Sequence, residues 1–179
     1  MRDDDIIEEE LGIAHEQMLE EQRVETALLR RHLRDLPTLQ PVLTCAPSTT
    51  VRAALEAMQQ AKRSCMLVVD HGQLVGVFTE REILAKVVGQ PVDVDHTPVR
   101  ACMTPDPTSL ELDDELVYAL NQMSLDGSRY IPLVDEQGQP TAIVSMETIV
   151  EYLVERFPQA ILNLPPSPAH SRPRTPDGA

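Results

Sequence analysis

The sequence predicts an α+β protein built from two copies of one β-α-β-β-α unit, packed as a pseudo-twofold pair. Three observations carry this: a self-similarity at a spacing of 65 residues, apolar runs of strand length closed by turn residues, and a helical stripe after each run. Under the shift, Thr44–Val51 falls on Ser109–Leu116, Ala54-Leu55 on Ala119-Leu120, Met58 on Met123 and Val69-Asp70 on Val134-Asp135. One residue is added in the next turn, so that Val77-Phe78-Thr79 falls on Ile143-Val144-Ser145.

The elements of the first copy follow in order. A short strand near Val42–Cys45 leads through a Ser/Thr cap into a helix with Val51, Ala54, Leu55 and Met58 on one face. The apolar run Cys65–Val69 meets the turn Asp70-His71-Gly72-Gln73, and Leu74–Phe78 completes a hairpin. Ile83, Leu84, Val87 and Val88 then line a second helix closed by Gly89. A unit of about 55 residues rarely buries enough surface to fold alone, so the two copies are expected to pack together.

Five segments result: a helix over 1–36 ended by Pro37, a first repeat over 38–90, a linker over 91–105, a second repeat over 106–157 and a tail over 158–179. The N-terminal helix rests on Ile7, Leu11, Ala14 and Met18, continued by Val24, Leu28, Leu33 and Leu36. It suits either a solvated helix of its own domain or one that pairs with a partner subunit. The tail ends PPSPAHSRPRTPDGA and is expected to be disordered, because it has little to bury.

Composition narrows the function. Apolar residues make up 42% of the chain but aromatic ones only 3%, so the core is aliphatic. The net charge of −14 repels phosphodiester backbones and argues against nucleic acid as a partner. No apolar run approaches the roughly 18 residues of a membrane span, and the acidic start MRDDDIIEEE is unlike a signal peptide. A soluble cytoplasmic protein is expected. Cys45, Cys65 and Cys102 lack CxxC spacing, and the five histidines form no HxxxH or HxH pair. Neither a metal site nor a nucleophilic site is indicated. No phosphate loop, GxSxG elbow or paired-carboxylate site appears either, so the chain does not read as an enzyme.

The stretches VLTCAPSTTVRAALEAM with CMLVVDHGQLVGVFTEREIL, and SLELDDELVYALNQM with RYIPLVDEQGQPTAIVSMETIV, resemble the CBS domain, named for cystathionine β-synthase. The tandem pair resembles a Bateman module over roughly residues 38–157. The resemblance implies sensing, with an adenosine nucleotide or related adenosyl ligand held in a cleft between repeats, homodimerisation, and regulation of an effector protein. No cofactor is required.

Thr79-x-x-Glu82 sits where the family carries apolar-apolar-Thr-x-x-Asp. It also matches a capping box, which needs no ligand. By the resemblance, the carboxylate accepts from ribose hydroxyls, while the threonine hydroxyl and the first helical amides meet phosphate. Glu for Asp is one methylene longer. Arg81, between them, belongs to the same candidate ligand set. The second copy offers Ser145 and, at the acidic position, Thr148, a weaker acceptor for ribose. Arg129 stands where the family often places a basic residue facing phosphate. Met66, Leu67, Ile131 and Pro132 are the expected apolar walls for adenine.

Two alternatives stand beside this reading. One is a ligand-free structural dimerisation module, favoured by the capping box and by the absent second carboxylate. The other is a divalent-cation sensor using carboxylates such as Asp93, Asp95, Asp113 and Asp114.

Overall fold

The structure, a computed structural model, describes residues 30–156. The tail from 158 and most of the N-terminal helix expected over 1–36 lie outside the described residues. The first repeat comprises β1 (Thr44–Cys45), α1 (Val51–Ala61), β2 (Cys65–Asp70), β3 (Gln73–Thr79) and α2 (Glu80–Lys86). After the connector and a short β4 (Thr104–Pro105) come α3 (Leu116–Asp126), β5 (Tyr130–Val134), β6 (Pro140–Ser145) and α4 (Met146–Arg156).

The first sheet has the order β1-β2-β3-β4, with β1 parallel to β2 and the other neighbours antiparallel. In the second, the hairpin β5-β6 takes a parallel bridge from Leu110 on one side and an antiparallel bridge from Gln40 on the other. Cys65 pairs with Thr79 and Tyr130 with Ser145, so both hairpins share one register, with a bulge at Val68/Val69 and at Leu133/Val134. The hairpins differ at their turns. His71 and Gly72 both have positive φ, 48° and 85°, as a two-residue turn between right-twisted strands demands. In the second repeat the added residue is taken up by a loop in which Asp135 Oδ1 accepts from the amides of Gln137 and Gln139.

The segment before each repeat packs on the other repeat. Leu33 and Leu36, fully and almost fully buried, belong to the core formed by Leu116, Ala119, Met123, Ile131, Leu133, Val144, Ile149 and Tyr152. Val99 and Cys102, 66 residues later, enter the core of Val51, Ala54, Met58, Met66, Val68 and Phe78. Backbone bridges fix both crossings, His32 to Glu115 and Thr50 to Pro98. Two corrections follow. Residues 30–36 do not continue a helix: Leu33–Asp35 form one 3-10 turn between extended residues, because Leu33 must reach the Asp114 carbonyl. The helix expected to run to Gly89 ends at Lys86, with Val87 and Val88 in the turn that follows; Ile83 and Val87 pack inward, but Leu84 and Val88 are exposed.

A third cluster, Cys65, Leu67 and Ile143 with Val42, Leu74, Val77 and Tyr130, joins the two sheets. The hairpin tips meet as well, where the Leu74 amide donates to the Gly138 carbonyl at 3.2 Å. No helix among the described residues is long and apolar enough to cross a membrane.

Candidate functional site

The end of β3 faces the start of β5 across a cleft of about 1020 Å³. Thr79, Glu80, Arg81, Glu82 and Lys86 line it from the first repeat, and Asp126, Gly127, Ser128, Arg129, Tyr130 and Ile131 from the second. Thr104, Pro107 and Thr108 form the floor between them. Residues about 50 positions apart are thus brought together by the pairing of the repeats. Of the expected site residues, Thr79, Arg81, Glu82, Arg129 and Ile131 meet here.

The Thr79–Glu82 step is a complete capping box. Thr79 is extended, as an N-cap must be, and its hydroxyl accepts from the Arg81 amide at 3.2 Å. Glu82 Oε2 accepts from the Thr79 amide at 3.0 Å and the Thr79 hydroxyl at 2.5 Å; Oε1 accepts from the Thr104 hydroxyl at 3.0 Å. Glu82 as a whole is 7% exposed. No basic side chain of the described residues lies within ion-pairing distance of it. A carboxylate has about four acceptor positions, so these bonds leave one, on Oε1.

Among the described residues, the cations of the cleft are equally unpaired with carboxylates. Lys86 Nζ donates to the Met103 carbonyl at 2.7 Å and Arg81 Nη1 to the Asp126 carbonyl at 3.1 Å, both neutral acceptors. The Arg129 side chain is exposed and makes no hydrogen bond or ion pair among the described residues. One cavity thus holds a buried carboxylate with a spare acceptor position and basic side chains not spent on carboxylates, groups suited to a ligand that carries both hydroxyls and negative charge.

The other expected residues lie elsewhere. Ser145 and Thr148 are each 2% exposed, and their hydroxyls share a hydrogen bond at 3.0 Å. Thr148 Oγ1 donates to the Thr38 carbonyl at 3.1 Å, and Gln40 Nε2 donates to Ser145 at 3.3 Å. Where Glu82 accepts from Thr104, Thr148 donates to Thr38, so this junction is closed by its own partners. Met66 faces the helix-side core and Leu67 the inter-sheet cluster, while Pro132 is buried in β5. These three are buried core residues and do not line the cleft. Thr104 and Lys86 were not anticipated. Thr38 and Thr104 stand 66 residues apart within Leu33-Arg34-Asp35-Leu36-Pro37-Thr38 and Val99-Arg100-Ala101-Cys102-Met103-Thr104, so the repeat extends upstream into both crossing segments.

Cys65, opposite Thr79, is buried, and its thiol is pushed up to about 12, first by burial and then by the charge of Glu82. Burial likewise raises Cys45, which is partly exposed. Since a raised thiol pKa keeps the nucleophilic thiolate scarce below that pKa, Cys65 stays protonated and inert at pH 8. An aromatic disulfide reagent at pH 8 is therefore expected to modify Cys45 slowly, with Cys65 and Cys102 reacting only after denaturant is added. Fast reaction of Cys65 in folded protein would contradict this placement.

The four carboxylates considered for a divalent cation have other partners. Asp95 holds Arg52 in a two-point contact and Asp93 holds His96 at 2.8 Å. Hydrogen bonding from those side chains lowers both carboxyl pKa values. Asp113 pairs with Arg34, and Asp114 accepts from the Glu111 amide. Among the described residues no group of three or more His, Cys, Asp or Glu is placed to hold a metal ion.

Comparison with known proteins agrees with the geometry. The family profile described as "CBS domain" matches residues 33–89 and 99–155, starting each repeat at the crossing segment. The CBS domain-containing protein CBSCBSPB1 of Arabidopsis thaliana is 31% identical over 127 residues, 69% of this chain and 23% of that protein. The chain thus spans about a fifth to a quarter of the first curated relatives it matches. Among solved structures, CBSX2 in complex with AMP superposes with a TM-score of 0.59 at 24% identity, covering 70% of this chain and 97% of that one. The CBS domain pair of MJ0100, in complex with 5′-methylthioadenosine and S-adenosyl-L-methionine, gives 0.60 at 20% identity, covering 70% and 98%.

Proposed function

The chain belongs to the CBS domain family, and from that premise we propose that it is a regulatory module that binds an adenine nucleotide in the cleft between its repeats. The observation that carries the proposal is the meeting of Thr79 and Glu82 with Arg129 across one cavity of adequate size. Two relatives of the same fold, solved with AMP and with adenosyl compounds, support the ligand class. In this reading the free acceptor position on Glu82 Oε1 takes a ribose hydroxyl, Arg129 meets phosphate, and Val77 and Ile131 flank the base. The reading uses the first junction alone, because Ser145 and Thr148 are occupied by Thr38 and Gln40.

Ligand binding biases the angle between the repeats only through its differential affinity for their arrangements. A homodimer is part of the proposal, supported by the exposed Leu84 on α2, Val88 in the turn after it, and Met146 and Val150 on α4. So are an effector protein that responds to that angle and a cytoplasmic setting, where the three free cysteines stay reduced. Thermal unfolding with AMP, ADP, ATP and S-adenosylmethionine provides the test. A ligand at 100 times its Kd is expected to add about 2.7 kcal/mol to stability. No shift with any of the four, in well-folded protein, would leave the structural module, for which the internally satisfied hydroxyls of the second junction speak.

A further inference from the structure

Arg81 is the one residue whose side-chain hydrogen bond, among the described residues, ties α2 to α3. From the first turn of α2 its Nη1 reaches the carbonyl of Asp126, the last residue of α3, at 3.1 Å. Gly127 follows at φ 62°, and the same Nη1 would lie 3.8 Å from a Cβ built there. The guanidinium therefore rests directly on the α3 terminus, where carbonyls lack helical partners and a cation is welcome. The Asp126 carboxylate takes no part and holds Gln122 instead. Arg81, Asp126, Gly127 and Arg129 all border the cleft.

We propose that Arg81 is a strap across the mouth of the cleft that senses phosphate: in the empty protein it holds the α3 terminus, and it leaves that carbonyl for the ligand's phosphate. The inference rests on the nucleotide reading of the cleft and deepens it. The exchange is favourable because a phosphate adds opposite charge to the bond and can take two parallel hydrogen bonds from the guanidinium, where the carbonyl takes one. Arg81 is exposed, with no carboxylate of the described residues within ion-pairing distance, so no ion pair among them has to be broken. The strap joins the repeats beside the cleft. Its transfer links phosphate binding to the geometry of the pair, a link that adenosine, lacking phosphate, would leave untouched.

The test compares the full-length protein with Arg81→Ala and Arg81→Lys, using AMP and adenosine as ligands. The ratio of the adenosine Kd to the AMP Kd is expected to fall about tenfold in Arg81→Ala, with adenosine affinity unchanged or improved, and to be partly restored in Arg81→Lys. In ligand-free protein, Arg81→Ala is expected to speed hydrogen exchange of the amides around Asp126 and Gly127. An equal loss for both ligands would make Arg81 a plain strut, and unchanged exchange would mean that it straps nothing. Either result overturns the inference. Absence of binding by both ligands to wild type would instead remove the nucleotide reading, while the exchange comparison would still judge the strap.

Discussion

Leu33→Ala is expected to lower the unfolding free energy by about 2–5 kcal/mol, the cost of removing a fully buried leucine and leaving a cavity. The effect is instructive because Leu33 precedes the first repeat in sequence yet lies in the core of the second, beside Leu116, Ala119 and Tyr152. An N-terminal residue on a merely appended helix would not behave this way. Leu84→Ala, at a 69% exposed position, serves as the control and is expected to stay within about 0.5 kcal/mol of wild type. Urea unfolding at matched protein concentration gives both numbers. A Leu33→Ala loss no larger than that of the control would mean that the crossing segment does not pack as described.

Glu82→Ala should impair stability and binding together. Three hydrogen bonds end on this buried carboxylate, and its loss strands the Thr79 amide, the Thr79 hydroxyl and the Thr104 hydroxyl. An unsatisfied buried donor costs about 1–3 kcal/mol, and the hydroxyls can turn to other acceptors. A net loss of about 2–4 kcal/mol is therefore expected, with at least tenfold weaker AMP binding measured where both proteins are folded. Glu82→Gln separates the effects: it keeps one acceptor oxygen for the cap and removes the charge. A Glu82→Ala protein as stable as wild type would show that the carboxylate is not engaged as described, and unchanged affinity would remove it from the site.

Much of this architecture was legible in the residues. The 65-residue shift and the added residue both reappear in the hairpin registers, because strand pairing and turn chemistry are local properties that the apolar runs and Asp/Gly turns encode. Leu33 and Leu36 were misread because an i, i+3 apolar pair fits an α-helical stripe and a 3-10 turn equally well. Which core such a pair enters is a tertiary fact. At the site, Thr79, Glu82 and Arg129 were recognisable from position within the repeat, yet two things were not. Thr104 approaches Glu82 only through the crossing of the connector, and Thr148 is closed off by the Thr38 carbonyl, a backbone group that carries no side-chain signature. Met66 and Leu67 were misassigned for a related reason: apolar strand residues look alike whether they face a cavity or a core.

The most direct measurement is an amide chemical-shift map of the full-length protein as AMP is added to saturation. The account predicts perturbations centred on Val77–Glu82, Thr104 and Asp126–Ile131, with Ser145 and Thr148 unmoved. Shifts centred on Ser145 and Thr148, or no shifts at millimolar AMP, would contradict it.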